Sequence, residues 1–205
     1  MYKESFIFTI FFLTLGPIKI ISAFGKLTQG MTLKFKREVA IKGILIALAI
    51  CLYVSLLGEG ILKKYQISLE SLEIAGGIVL LLSALKAIFP DLQPTNLPKS
   101  QPSALQLAIS PVASPIVVPP VGVAAILIFI MIAPRHPGME FVIAKALLVM
   151  LLLDFLVMFF IDQIIKVPGL MLVLQILGSV LVFVQVALAI EAILEAFRNL
   201  GIVNR

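Results

Sequence analysis

Six apolar runs, each long enough to cross a lipid bilayer, constrain this chain more than any other feature. A spanning helix needs about 20 predominantly apolar residues to traverse a hydrocarbon core of about 30 Å. The runs extend from about Phe6 to Phe24, Val39 to Leu62, Leu69 to Phe89, Leu105 to Ala133, Phe141 to Ile165 and Leu170 to Ala196. Of the 205 residues, 61% are hydrophobic and 13% charged. One core cannot hide that much apolar surface, because even a domain of about 150 residues leaves roughly a third of its unfolded-chain surface in water. The remainder must face lipid, which excludes a soluble globular domain. The expected fold is an all-α polytopic membrane protein with six transmembrane helices, in contact with membrane lipid.

The separators carry loop chemistry. Gly25 to Glu38 contains Gly30 and the basic residues Lys26, Lys34, Lys36 and Arg37, while Pro90 to Pro102 contains four prolines. Pro134, Arg135, His136, Pro137 and Gly138 form a third short break. The first run lacks a small-residue cleavage pattern before the next loop and is read as retained. The net charge of +5 is spread between apolar runs, where it can meet anionic headgroups and set topology, so no nucleic-acid partner is expected. Four basic residues follow the first span and only Lys3 precedes it, which places both chain ends outside. Lys99 and Lys166 agree with that orientation; Lys63, Lys64 and Arg135 oppose it. A single cysteine, Cys51, excludes an intramolecular disulfide and a Cys-based zinc site, and it reads as packing.

Sliding the second half over the first by 103 positions aligns unlike residue types together: Lys42 with Lys145, Glu59 with Asp162, Ile61 with Ile164 and Lys63 with Lys166. An offset of 102 aligns Ile74 with Ile176, Gly76 with Gly178 and Ile88 with Ile190. The chain therefore reads as two three-helix copies, about 1–89 and 105–205, joined by a linker at about 90–104. An odd number of spans per copy makes the second enter from the opposite membrane face, so the repeats are expected to be inverted, a recurrent transporter plan.

The same register carries Gly16 onto Pro119 and Pro17 onto Pro120. Pro111, Pro115, Pro119, Pro120 and Gly122 forbid one regular helix in the fourth span, since proline removes a donor and clashes with the preceding turn. Polar backbone groups freed in hydrocarbon must be satisfied by protein or a water-filled cavity. Paired interruptions in two half-sequences point to a substrate site near the bilayer midplane, with helix N-termini for a carboxylate and C-terminal carbonyls for a cation. The alternative is that these prolines kink helices for packing alone.

The first-span run LGPIKIISAFGKLTQG, the stretch LLGEGILKKYQISLESLEIAGGIVLLLSALK and the fourth-span run AISPVASPIVVPPVGVAAI resemble those of the MarC family of six-span membrane proteins, as a divergent member. Gly58, Ile61, Leu62, Ile67, Ala75, Gly76 and Gly77 sit where that family has its glycine, apolar exit and Ala-Gly-Gly helix. Some members are implicated in transport of small neutral amino acids, so the resemblance implies an inner-membrane protein with inverted repeats and a carrier activity. The family usually has Asn-Pro followed by Gly in the first span and Gly-Pro-Gly in the fourth. This chain has Gly16, Pro17, Ile18 and Lys19, and Pro119, Pro120, Val121 and Gly122.

The candidate substrate-binding residues are accordingly Gly16, Pro17, Lys19, Pro119, Pro120 and Gly122. Lys19 could hold a substrate carboxylate, snorkel to the interface or pair with an acid. Asp154, deep in the fifth span, is the candidate ion or proton coupling site; the alternatives are a buried partner for Lys19 or a helix–helix hydrogen bond. Gly76, Gly77 and Gly178 are expected to allow close helix packing. Glu59, Asp162, Lys42 and Lys145 read as interfacial anchors, with Glu73 and Lys86 bracketing the third span.

Phosphate-loop, paired-histidine and Ser-His-acid signatures are missing, so no enzyme, cofactor or metal is expected. The expected function is secondary transport of a small solute by alternating access, with a proton or sodium ion as coupling partner. A non-transporting membrane protein that keeps the fold is the rival, and a homo-oligomer is left open.

Overall fold

The fold was analysed in a computed structural model, which describes residues 4–89 and 103–203. Lys3, Lys99 and all of the expected linker except Ser103 and Ala104 lie outside the described residues. The chain is helical throughout them: α1 (Glu4–Leu15), α2 (Pro17–Leu27), α3 (Leu33–Lys64), α4 (Leu69–Ile88), α5 (Ala104–Leu107), a distorted helical segment Ala108–Val117, α6 (Pro120–Ile132), α7 (Met139–Phe159), α8 (Ile161–Lys166) and α9 (Leu170–Asn199). Five helical stretches are long and apolar enough to cross a membrane, or six where the arms before and after Val118, bent by 60°, count as one span.

The caps follow from local chemistry. Thr32 accepts from the Phe35 amide and Ser68 from the Ser71 amide, which starts α3 and α4. Ser103 and Gln106 exchange backbone and side-chain bonds, closing the first turn of α5. Two spans differ from the sequence expectation. The second begins at Leu33 rather than near Val39, because Lys34, Lys36, Arg37 and Glu38 are good helix formers and Thr32 caps the turn before them. The fifth ends at Phe159, and α8 continues after a break at Phe160.

Corresponding spans of the two halves lie side by side: α4 against α9, α3 against α7, and α1 against α6. The core is the crossing of α1, α2, α6 and α7, where Phe11, Phe24, Ile126 and Met150 are fully enclosed. Phe11 meets Phe129 edge-on at 5.3 Å between ring centres. α9 is peripheral and has the smallest buried share of the candidate membrane spans.

Small residues set the closest approaches. A Cβ at Gly77 would stand 2.8 Å from the Ala189 carbonyl oxygen and 2.6 Å from Ile193 Cγ1, so α9 lies directly on that glycine. At Gly76 the neighbours are Ile128 and Ala124 of α6. Gly178 differs from its expected packing role: nothing lies within 4 Å of a Cβ there, because α9 turns that side away from the bundle. Gly77→Ala should therefore destabilise the detergent-solubilised protein by about 1–3 kcal/mol through overpacking. Gly178→Ala should be neutral or raise stability by up to about 1 kcal/mol through helix propensity, and thermal unfolding of the two variants side by side checks both.

Candidate functional site

Both interruptions fall mid-span, and their backbones coincide. Gly16 has φ −70° and ψ 163°, and Pro119 has φ −71° and ψ 159°; each is an extended N-cap followed by a proline that starts the next helix. Proline suits that first helical position because its amide would have no partner there. Gly16 cannot carry a side chain, since a Cβ would collide with the Phe12 carbonyl, which accepts the Gly16 amide at 3.0 Å. The breaks are neighbours: a Cβ at Gly122 would strike the Leu15 side chain. Further upstream, Ser110 and Ser114 are extended, each before a cis proline, and the chain regains regular helix at Pro120.

A cleft of about 320 Å³ lies beside these breaks between α1, α4, α6 and α9; Thr14 and Val121, next to the breaks, line it, but none of the candidate residues Gly16, Pro17, Lys19, Pro119, Pro120 and Gly122 does. Thr14, Leu80, Val121 and Leu188 line its inner end, and Phe6, Ile132, Glu73 and Glu195 its outer end, with Glu191 beside Glu195. An apolar layer of Leu80, Val121 and Ala189 forms the floor. One turn beyond it, the Lys19 ammonium donates to Gln185 Oε1 at 2.7 Å, and Gln185 Nε2 donates to the Leu80 carbonyl at 3.0 Å. This bridge ties α2, α9 and α4 together. Lys19 thus takes a neutral amide as its partner rather than an acid, because Gln185, 1% exposed, is the acceptor that α9 brings to it.

Asp154 stands apart from that bridge and does not pair with Lys19. It is 0% exposed on α7, and neither carboxylate oxygen has a hydrogen-bond partner. Cys51 of α3, also buried, lies within its electrostatic reach. The two residues are 103 positions apart, the register that relates the two breaks. α3 runs alongside the fourth span, Gly43 on Val112 and Gly58 on Leu127, so Cys51, midway between them, comes level with the break at Val118.

The charged anchors sort by end of the bundle. Lys36 pairs with Asp162 at 2.5 Å, Arg37 stacks over the Phe159 ring at 4.5 Å, and a Cβ at Gly25 would touch Ile165. The basic loop after the first span therefore shares one end with α8. Glu59 pairs with Lys63, and Lys42 with Glu38, one turn apart in each case. Among the described residues no group of three or more His, Cys, Asp or Glu is placed to hold a metal.

Sequence reasoning named Lys19, the breaks and Asp154 but not the bond from Lys19 to Gln185 or the proximity of Cys51 to Asp154. The second was readable from the 103-residue register; the first had no such signal. Gln185→Leu should destabilise the protein by about 1–3 kcal/mol by leaving the Lys19 ammonium without its acceptor. Lys19→Met in the same chain should recover part of that loss, and a double-mutant cycle by thermal or denaturant unfolding measures it.

Residues 4–197 match the sequence profile described as MarC family integral membrane protein. A UPF0056 membrane protein of Methanocaldococcus jannaschii is 29% identical over 196 residues, covering 94% of each chain. A UPF0056 membrane protein of Buchnera aphidicola is 34% identical over 105 residues, 50% of this chain and 54% of its own length. The inner membrane protein YhgN of Escherichia coli is 29% identical over 126 residues, 62% of this chain and 63% of its own. No solved structure matches the chain. With the profile matched over nearly its whole length, and with five or six membrane-crossing helices, the chain belongs to the MarC family of multi-pass integral membrane proteins.

Proposed function

We propose that this chain is a secondary transporter of a small zwitterionic solute, of the neutral amino acid class, working by alternating access between two inverted three-helix repeats. The observation that carries this reading is the pair of matched mid-span breaks at Gly16–Pro17 and Pro119–Pro120, in contact through Leu15 and Gly122, with a cleft beside them lined by the neighbouring Thr14 and Val121. Backbone groups released inside a membrane are tolerated where protein or a water-filled cavity meets them, and broken helices in corresponding positions of two halves are how carriers build a central site.

The chemistry along the cleft favours a solute with both charges. Carboxylates of Glu73, Glu191 and Glu195 sit toward its outer end, and the Lys19 ammonium sits beyond its floor. A zwitterion's ammonium is drawn to the acidic mouth, and its carboxylate meets Lys19 only once the floor has opened, past apolar walls that suit a small side chain. Arg198 bonds Glu191 and Glu195 and keeps part of the negative charge balanced while the site is empty of solute.

Alternating access follows from the floor. Leu80, Val121 and Ala189 close the cleft on the side of Lys19, and separating α9 and α4 from α6 would open that side. The basic cluster of Lys26, Lys34, Lys36, Arg37 and Lys166 marks the cytoplasmic end, so the cleft faces outward and both chain ends lie outside the cell membrane. Asp154 is the coupling site for an ion gradient.

Uptake of a panel of radiolabelled amino acids into proteoliposomes, with and without imposed proton and sodium gradients, tests the carrier. Gradient-dependent uptake of a small neutral amino acid is expected, with Lys19→Ala lowering it by about tenfold or more, the loss of roughly one charged hydrogen bond. No uptake of any solute by protein shown to be folded overturns the reading in favour of a non-transporting membrane protein. Single cysteines at Lys34 and Tyr65, in a Cys51→Ala background, test the orientation: a membrane-impermeant thiol reagent applied to whole cells should label position 65 and spare position 34.

A further inference from the structure

We propose that Asp154, buried where α7 packs against α3, binds a proton and is a proton site rather than a sodium site. Its role in coupling rests on the carrier reading above; the binding of the proton does not.

The geometry points to the neutral acid. Asp154 has no exposed surface, and neither oxygen receives a hydrogen bond from any side chain or amide. An ionised carboxylate in that position would have neither water nor a donor to stabilise its charge, whereas a carboxyl group carrying its own proton needs neither. The surrounding charges give no substitute. On α7 itself Lys145 lies about two and a half turns and Glu140 about four turns toward the helix start, and Arg135 belongs to the short turn Ala133–Arg135 before it. α6 and the Ala108–Val117 segment carry no titratable side chain, and α1 carries Glu4 in its first turn. On α2, Lys19 is held by Gln185, and Lys26 lies in the last turn. On α8, Asp162 is held by Lys36, and Lys166 ends the helix. α3 presents Cys51; its other charged groups lie outside the stretch Gly43–Gly58, with Glu38 and Lys42 paired together, as are Glu59 and Lys63. Tyr53, two residues from Cys51, is exposed on the outer surface of α3.

A sodium ion would bring a full charge into the same enclosure and would need several further oxygens. Carriers supply these from unwound carbonyls around the ion. Here α7 is unbroken from Met139 to Phe159 and α3 from Leu33 to Lys64, so the carbonyls flanking Asp154 and Cys51 are engaged in their own helices. The thiol of Cys51 is a poor ligand for a hard cation. Because Cys51 is level with the fourth-span break, deprotonation of Asp154 would place a charge where the helices must shift, and that placement makes the site a coupling element rather than a passive one.

Two measurements on the full-length protein in lipid vesicles test the assignment. The infrared carbonyl band of a protonated carboxyl should be present at neutral pH and missing from Asp154→Asn, and exchange of buffer sodium for potassium should leave it unchanged. Dicyclohexylcarbodiimide, which adds to protonated carboxyls, should modify Asp154 at neutral pH, and sodium should give no protection, as read by mass spectrometry of the peptide. Asp154→Glu should retain both signals. A missing band together with missing modification, or a band abolished by sodium at constant pH, overturns the proton site. A retained band in protein that transports nothing supports the proton site and removes only its coupling role.

Discussion

Every structural choice in this chain answers to one constraint: a peptide N–H or C=O placed in hydrocarbon must find a partner within the protein. Continuous helices meet it automatically, which is why α3, α7 and α9 run for 32, 21 and 30 residues. The exceptions are confined to the first and fourth spans and lie in the interior of the bundle. Gly16 keeps its amide on the Phe12 carbonyl, Val118 bonds back to Ala113, and Gly122 and Val123 both bond to the Pro119 carbonyl. The chain thus breaks two helices while leaving few backbone donors stranded, and does so where Leu15 and Gly122 keep lipid away.

Packing then follows from the breaks. Lipid tails are as apolar as leucine, so helices in a membrane gain by close approach and shape rather than by escaping water. Glycines at 43, 58, 76, 77 and 122 let a neighbouring helix reach the backbone. Polar groups supply the remaining ties, and each is local: Lys36 to Asp162 at one end, Lys19 through Gln185 to Leu80 near the middle. Lys19 is bonded to a neutral amide rather than to an acid, and on the carrier reading a solute carboxylate takes the place of Gln185.

Much of this was legible in the sequence, for identifiable reasons. Helical spans follow from apolar length, and the breaks follow from proline and glycine, whose backbone limits do not depend on neighbours. The 103-residue register pairs Gly16 with Pro119, which share an extended backbone before a proline, and Gln66 with Gly169, which both have positive φ. Span ends were less legible because Lys, Arg and Glu extend a helix as readily as they end a membrane crossing, as at Leu33. The Lys19–Gln185 bridge was illegible because it joins residues 166 positions apart through a rotamer choice that leaves no pattern in the chain. Gly178 misled for a related reason: a small residue permits contact, but only the rest of the fold decides whether contact is made.

That last difference bears on mechanism. Gly76 and Gly178 occupy matched positions in the two halves, yet Gly76 is closed against Ile128 and Ala124 of the fourth span while Gly178 faces open space. Two sequences with the same spacing are therefore packed unequally: the third span lies along the fourth, while the sixth meets the first lightly, through the Lys19–Gln185 bond. On the carrier reading this inequality is what a single state of an inverted repeat must contain, because exchanging the two packings exchanges the side from which the centre is reached. The opposite state would close Gly178 on the first span near Ile21 and Gly25, the residues in register with Ala124 and Ile128, and would free Gly76. Glycine at both positions lets either contact form without a side chain in the way, and on the same reading a proton leaving or entering Asp154 would bias the choice between them.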